Sequence, residues 1–377
     1  MRALILSTHT GGGHDTAARA VNDALTVRGV ECRLEDCVAF GGQKLSTAVS
    51  DAYVGFVKAA PKSFGKLYKF AKAISTPYVK SPVYLFNAAY AEKMVKLLDE
   101  FMPDMVVCTH MFGGQSMTHL RRHDEYGGLL AMVMTDYTIH PFIEDIECDL
   151  LFTTRYALRT PNRLRLPESA YQFTGIPVSL SCRPCYDKRA AKNAAGLDPT
   201  RQEVLLVSGS MGAGDLPGLI GRILPVLGDN DHLSVVCGSN EAAMQQAREE
   251  FGHDVRVSVW GQVNPLTPLM AAADVLVTKS GGLTSTEAMT IGTAIVVAHP
   301  IAGCETENAR MMEEKGLALW AHEDEELAPK VSCLLRNPAE REKLIAHQRA
   351  FIDPDCALHI ADILIQKTAE RMGRRPQ

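Results

Sequence analysis

Short β-branched apolar runs alternate with amphipathic helical stretches along almost the whole chain, and this alternation restricts the fold more than any other feature. Strands are expected at 3–7, 104–109, 130–135 and 150–154, then at 203–208, 233–237, 255–260, 274–278 and 294–298. Helices fit between them, among others at 15–28, 91–101, 241–251 and 284–291. Parallel neighbours need a crossover, normally a helix, so the pattern predicts an α/β fold with parallel sheets. It pauses once, between Gly175 and Asp187, where two prolines interrupt a stretch with neither period. We read that stretch as a linker. The chain has 377 residues, beyond the usual single-domain range, so two domains are expected. The boundaries read as 1–178, a linker at 179–188, and 189–377, with a last helix near 357–372 able to return to the first half. Two Rossmann-like halves would face a central cleft, with ligands at the carboxyl ends of the strands.

Composition narrows the partners. A net charge of −5 argues against a general nucleic-acid binder. The 10 cysteines show no disulfide-scaffold spacing, which predicts reduced thiols in a cytosol. The apolar run at residues 3–6 is too short for a signal-peptide core, and no stretch of 18 apolar residues occurs. Any membrane contact is therefore expected to be peripheral, at the cytoplasmic face.

Three glycine-rich turns follow expected strands. Ser7-Thr8-His9-Thr10-Gly11-Gly12-Gly13-His14 follows the first strand and opens a helix. Its glycines let backbone N–H groups approach a ligand at a helix N-terminus, which favours negative charge. It is neither G-x-G-x-x-G nor a Walker A loop. It reads as a substrate loop through Gly12 and Gly13, with His14 directed at the ligand, or else as a plain turn with a solvated histidine. Ser208-Gly209-Ser210-Met211-Gly212-Ala213-Gly214-Asp215 repeats the device, and suits a pyrophosphate. In Thr278-Lys279-Ser280-Gly281-Gly282-Leu283-Thr284-Ser285-Thr286-Glu287-Ala288 a strand ends, a Ser-Gly-Gly turn exposes N–H groups, and Glu287 lies one turn into a helix. There a carboxylate could accept from both hydroxyls of a ribose, or simply stabilise the helix dipole. The loop from Pro300 to Ala309, with Gly303, Cys304, Glu305 and Asn308, suits sugar hydroxyls.

Together these strings resemble glycosyltransferase family 28, nearest to the monogalactosyldiacylglycerol synthases and the bacterial processive diacylglycerol glucosyltransferases. The peptidoglycan transferase acting on lipid I is a more distant relative. Val133-Met134-Thr135-Asp136-Tyr137-Thr138-Ile139-His140-Pro141 and Thr174-Gly175-Ile176-Pro177-Val178 extend the resemblance to nearly the whole chain. It implies a GT-B fold, a lipid acceptor on the N-terminal domain and a UDP-sugar on the C-terminal domain. Donor contacts would then come from Gly209, Met211, Gly261, Val263, Ser280, Gly281, Gly282, Thr284, Glu287, Glu305 and Asn308. Of these Glu287 would hold the ribose, the 280–284 turn the pyrophosphate, Glu305 and Asn308 the sugar, and the backbone at 260–263 the uracil. His14 matches the family's catalytic histidine. Where the bacterial pattern reads Gly-Gln-Glu this chain has Gly303-Cys304-Glu305, and a thiol lacks an amide's paired donor and acceptor, which bears on the sugar accepted.

An inverting hexosyl transfer needs a base for the acceptor hydroxyl and stabilisation of the departing diphosphate. His14 is the expected base or orienting group, with Asp136 the competing base or its partner. No cofactor beyond the UDP-sugar co-substrate is expected, and no metal. Asp-x-Asp strings occur at 229–231 and 353–355, but neither is expected at a strand end in the cleft. Cys182-Arg183-Pro184-Cys185 lacks the further ligands zinc would need.

Residues 53–90 stand apart, with six lysines, no acid and nine of the 24 aromatics. At helical spacing Lys58, Lys62, Lys66, Lys69 and Lys72 share one side, while Phe64, Leu67, Ala71 and Ile74 lie on the other. Such a stretch suits an anionic membrane surface, through Lys62, Phe64, Lys66 and Lys69 in particular, or is a helix with a core-facing apolar side and solvated lysines. The leading expectation is a β-glycolipid synthase moving a hexose from UDP to a diacylglycerol-type lipid. The alternatives are a GT-B transferase using UDP-N-acetylglucosamine, an epimerase, or a regulatory protein that senses a UDP-sugar.

Overall fold

The computed structural model describes the chain except for residues 9–11, 43, 45, 49–54, 56–60, 77–78, 160–163, 210, 211, 213 and 374–377, and the side chains of 61–64. It divides into two compact units, Met1–Leu180 with Asp355–Gln377, and Ser181–Pro354.

The first unit holds β1 (Arg2–Ser7), β2 (Glu31–Asp36), β3 (Met105–Cys108), β4 (Leu129–Val133), β5 (Leu150–Phe152) and β6 (Tyr171–Gln172). All pair in parallel, in the order β2-β1-β3-β4-β5-β6. Side chains alternate between the two faces of a strand. Along β1, Leu4 and Leu6 enter one core cluster while Ala3 and Ile5 enter another. With both faces covered, central strands read as continuous apolar runs. β2 does not. Its sequence Glu-Cys-Arg-Leu-Glu-Asp lies at the sheet edge, half-buried at most, and its charges hide it from an apolar-run reading. β6 spans only two residues and gives no periodic signal.

The helix Gly12–Val27 buries Ala17, Ala18, Val21, Ala24 and Leu25. Its small residues let the last helix, Cys356–Gly373, approach closely through Cys356, Ala357, Ile360, Ala361 and Leu364, all within one cluster. An Arg28–Asp362 ion pair at 2.6 Å closes the rim of that contact.

Within 53–90 the described residues form two helices, Pro61–Ile74 and Pro82–Ala91. Lys62 and Phe64 have side chains outside the described residues, and Lys58 lies outside them altogether. In the first helix Leu67, Phe70 and Ile74 are exposed, at 53%, 60% and 45%, so the alternative of a core-facing apolar side does not describe these residues. Lys66, Lys69 and Lys72 are exposed beside them. The second helix packs inward: Asn87 Nδ2 donates to Gln115 Oε1 (2.6 Å), and Tyr90 Oη donates to Asn87 Oδ1 (2.7 Å). Lys80 belongs to that packing, donating to the Asp145 carbonyl and lying 4.4 Å from the Tyr84 ring centroid. No described helix is long and apolar enough to cross a membrane.

The second unit contains β7 (Gln202–Val207), β8 (Asp231–Val236), β9 (Val257–Trp260), β10 (Val275–Thr278), β11 (Ala294–Val297) and β12 (Leu319–Trp320). They are parallel in the order β12-β11-β10-β7-β8-β9. Both sheets therefore reverse their direction of growth once, between β1 and β3 and between β7 and β10. Open parallel sheets bind ligands at such switch points, just beyond the strand carboxyl ends.

Candidate active site

In the first unit the switch point carries an imidazole cluster. Gly12 and Gly13 open the helix after β1 and bring His14 into its first turn, where Ser7 Oγ donates to Asp15 Oδ1 (2.5 Å). His14 Nδ1 lies 2.8 Å from the Thr109 carbonyl oxygen and 3.1 Å from Thr135 Oγ1, while Thr109 Oγ1 donates to the His14 carbonyl at 3.1 Å. The ends of β1, β3 and β4 thus meet on one side chain. Burial lowers the His14 pKa, and the Thr109 carbonyl, then Asp136, oppose it in part. His110 packs edge-on against His14, with ring centroids 4.5 Å apart at 89°. It caps the helix Met111–Arg122 by accepting from Phe112 N at 3.2 Å, so its Nδ1 is unprotonated. Burial, with the charge of His14 behind it, pushes the His110 pKa well below the usual imidazole value. That helix can sit on β1 because Gly113 has no side chain: a Cβ there would fall 3.0 Å from Leu6 Cβ.

Asp136, just past β4, accepts from or shares a proton with His140, Oδ2 to Nε2 at 2.9 Å. No hydrogen bond between Asp136 and His14 is seen among the described residues; Asp136 acts on His14 through charge. Thr109, His110 and Thr135 were not singled out from sequence as site residues. The signal was available, because Cys-Thr-His-Met-Phe-Gly-Gly after β3 repeats the strand, histidine and paired-glycine order of the first loop.

In the second unit three neighbouring strands end alike. Val207, Thr278 and Val297 are aligned in register across β7, β10 and β11. Two residues beyond them, Gly209 (φ +77°), Ser280 (φ +70°) and His299 (φ +49°) all take left-handed backbone. For Ser280 and His299 that conformation is strained, and such strain concentrates at ligand sites. It also turns successive N–H groups toward one side, the arrangement that receives anions. Bonds to side chains and backbone hold the Ser280 turn: Ser280 Oγ donates to the Glu305 carbonyl (2.8 Å), and Asn308 Nδ2 donates to the Ser280 carbonyl (3.1 Å). Asn308 is fully buried, and Glu305 Oε2 accepts from Ile301 N at 2.7 Å. Both side chains therefore brace the loop from the strand end into the helix Cys304–Glu314.

Gly281 caps the helix Gly282–Ile291, whose first turns present Thr284 and Glu287. Glu287 is half-buried, and no hydrogen bond or ion pair reaches its carboxylate among the described residues. Burial alone pushes its pKa up to about 7. Gly209 lies two residues beyond β7; Met211 is outside the described residues. Gly261 and Val263 follow β9, two strands from β7. Gly212 is tied to its conformation (φ +59°), since a Cβ there would collide with the Cys237 carbonyl and Asn240. His299, unremarked in the sequence, has its Nε2 2.5 Å from Asp324 Oδ1, and Arg222 pairs with the same carboxylate. Its signal was a polar residue between an apolar strand and Pro300.

Two six-stranded parallel sheets, each with a switch point at its strand carboxyl ends, make the architecture of the GT-B fold. Residues 14–178 match the family model described as monogalactosyldiacylglycerol (MGDG) synthase, and residues 203–337 match that described as glycosyl transferases group 1. Within the class the chain resembles the processive diacylglycerol β-glucosyltransferases. It is 25% identical over 381 residues to the one from Bacillus cytotoxicus, covering 100% of this chain and 96% of that protein. The Bacillus mycoides protein of the same description is 28% identical over 377 residues, covering 98% and 95%. Among solved structures, the fold superposes on Acinetobacter baumannii MurG with a TM-score of 0.61 at 16% identity, over 97% of this chain and 100% of that one.

Proposed function

We propose that this chain transfers a hexose from a UDP-sugar to a diacylglycerol-type lipid with inversion, forming a β-glycolipid. The observation that carries the reading is the fixed orientation of His14, whose Nδ1 is occupied by the Thr109 carbonyl. That leaves Nε2 as the basic nitrogen on an imidazole that burial keeps neutral. In the transfer the acceptor oxygen bonds to C1 of the sugar and its proton passes to His14 Nε2. The bond from C1 to the diphosphate breaks, and both its electrons stay on the departing oxygen. Asp136, held by His140, lies near enough to favour the imidazolium that forms.

On the donor side, Glu287 is an acceptor whose hydrogen bonds await a diol, and a ribose supplies one. The left-handed strand ends and the N-terminus of the helix Gly282–Ile291 suit a diphosphate, so the reading requires no metal. Asn308 and Glu305 brace the sugar loop in this reading, with the half-buried Cys304 bearing on which sugar fits. A lipid acceptor calls for a membrane surface. The helix Pro61–Ile74 offers one, with lysines beside an exposed stripe of Leu67, Phe70 and Ile74. In this reading the enzyme works peripherally on an anionic cytoplasmic face.

Purified protein incubated with radiolabelled UDP-glucose, UDP-galactose or UDP-N-acetylglucosamine and diacylglycerol micelles tests the reading. A labelled lipid from at least one donor, β-linked by NMR, is the expected result. UDP binding without any labelled lipid would instead make the chain a sensor of the nucleotide-sugar.

A further inference from the structure

Lys279 is the first residue beyond β10 and is only 7% exposed. It stands at the switch point of the second sheet, beside the end of β7. Its Cε and Nζ both lie 3.5 Å from the point a Cβ on Gly209 would occupy, which puts the ammonium against the turn that follows β7. Lys279 and His299 line one small cavity with Ser208, Gly214 and Ala298, at the carboxyl ends of β7, β10 and β11. His299 is anchored from behind: its Nε2 is engaged by Asp324, and Asp324 is engaged by Arg222, which also donates to the Gly218 carbonyl at 2.9 Å. With Nε2 taken, Nδ1 is the nitrogen left for a ligand.

We propose that Lys279 and His299 form the side-chain seat for the donor's diphosphate, with the Lys279 ammonium donating to the oxygen that departs from the sugar. The inference rests on the donor reading above and goes beyond it. Leaving-group charge would be met by a fixed cation as well as by backbone N–H groups. Negative charge grows on the departing oxygen as its bond to C1 breaks, so a buried ammonium already in place binds the transition state more tightly than the ground state. The imidazole, its Nε2 held by Asp324, lines the same cavity as the ammonium.

Calorimetric titration of UDP and of uridine into the full chain separates the possibilities. For Lys279→Gln, UDP affinity should fall at least tenfold while uridine affinity stays within twofold, and Lys279→Arg should restore most of the loss. For His299→Gln, UDP affinity should fall at least threefold, again with uridine unchanged. Parallel loss of both ligands in Lys279→Gln, or loss of the fold, would make that lysine structural and overturn its part. UDP affinity unchanged in His299→Gln would overturn the seat as a pair. Should the unmutated protein fail to bind UDP at all, the donor reading itself falls, and that outcome is distinct from either variant result.

Discussion

The Nδ1 nitrogen of His14 and the carbonyl oxygen of Thr109, 95 positions apart in the chain, lie 2.8 Å from each other. A carbonyl only accepts, so this contact fixes the neutral tautomer with its proton on Nδ1 and its lone pair on Nε2. The helix N-terminus acts in the same direction as burial, since its partial positive charge disfavours an imidazolium.

His14→Ala should therefore lower turnover on lipid at least a hundredfold, as loss of a general base does. UDP affinity should stay within about twofold, since the donor contacts argued above belong to the second unit. The base must be unprotonated, and burial lowers its pKa, so the acidic limb of kcat at saturating donor should lie below pH 6.5 and vanish in the variant. Activity surviving within tenfold would pass the role of base to Asp136.

Glu287 gives a second pH dependence, separable from the first. Its folded pKa of about 7 is raised above the ordinary carboxyl value of 4.5 by burial. A raised folded pKa means that the protonated form is favoured by the fold: the stability is present below about pH 4.5 and is lost as pH rises through about 7. Glu287→Gln should thus leave the unfolding free energy unchanged at pH 4 and raise it by about 2–3 kcal/mol at pH 8. UDP-glucose binding needs the carboxylate, so its affinity should rise about tenfold between pH 6 and 8 in the parent and stay flat in Glu287→Gln. Calorimetry at three pH values checks both; a parent affinity that does not move with pH would remove Glu287 from the site.

The last helix contributes to the first unit's core. Leu364 is fully buried in one cluster with Val21, Leu25 and Ile360. Leu364→Ala should cost about 2–5 kcal/mol through lost burial and the cavity left behind. The two tryptophans, Trp260 and Trp320, both belong to the second unit. In urea, the circular-dichroism transition should broaden to lower denaturant while the tryptophan-fluorescence midpoint stays put. An equal shift of both would mean that the loss is not confined to the first unit.

The fold class was legible because buried parallel strands have to be apolar on both faces, and β1, β3, β7 and β10 announce themselves in that way. β2 was not, since an edge strand needs no such pattern and this one carries Glu31, Arg33, Glu35 and Asp36. In the site, the glycine turns and Glu287 were visible as local motifs. The clasp of His14 by Thr109 and Thr135 was not, because it depends on three strand ends being brought side by side by the sheet order 2-1-3-4. The left-handed turn at His299 was hidden for a similar reason: only the register of β11 with β10 aligns it with Ser280.

The helix Pro61–Ile74 separates charge from apolar contact along its surface, and each can be removed alone. Lys66, Lys69 and Lys72 are exposed, and so are Leu67, Phe70 and Ile74, spaced so that the three lie on one stripe. Binding to vesicles should rise with the fraction of anionic lipid and weaken with salt, because exposed charge is screened over about 8 Å at physiological ionic strength. Changing the three lysines to Gln should lose about 3 kcal/mol, roughly a hundredfold in partitioning, and with it most of the salt dependence. Changing Leu67, Phe70 and Ile74 to Ser should remove the part that salt does not touch, at about 1.5–3 kcal/mol for each side chain that becomes fully buried in lipid. Co-sedimentation with phosphatidylglycerol vesicles at two salt concentrations reads both terms. If both triple variants bind like the parent, this helix is not the membrane contact, and the exposed stripe awaits a different surface.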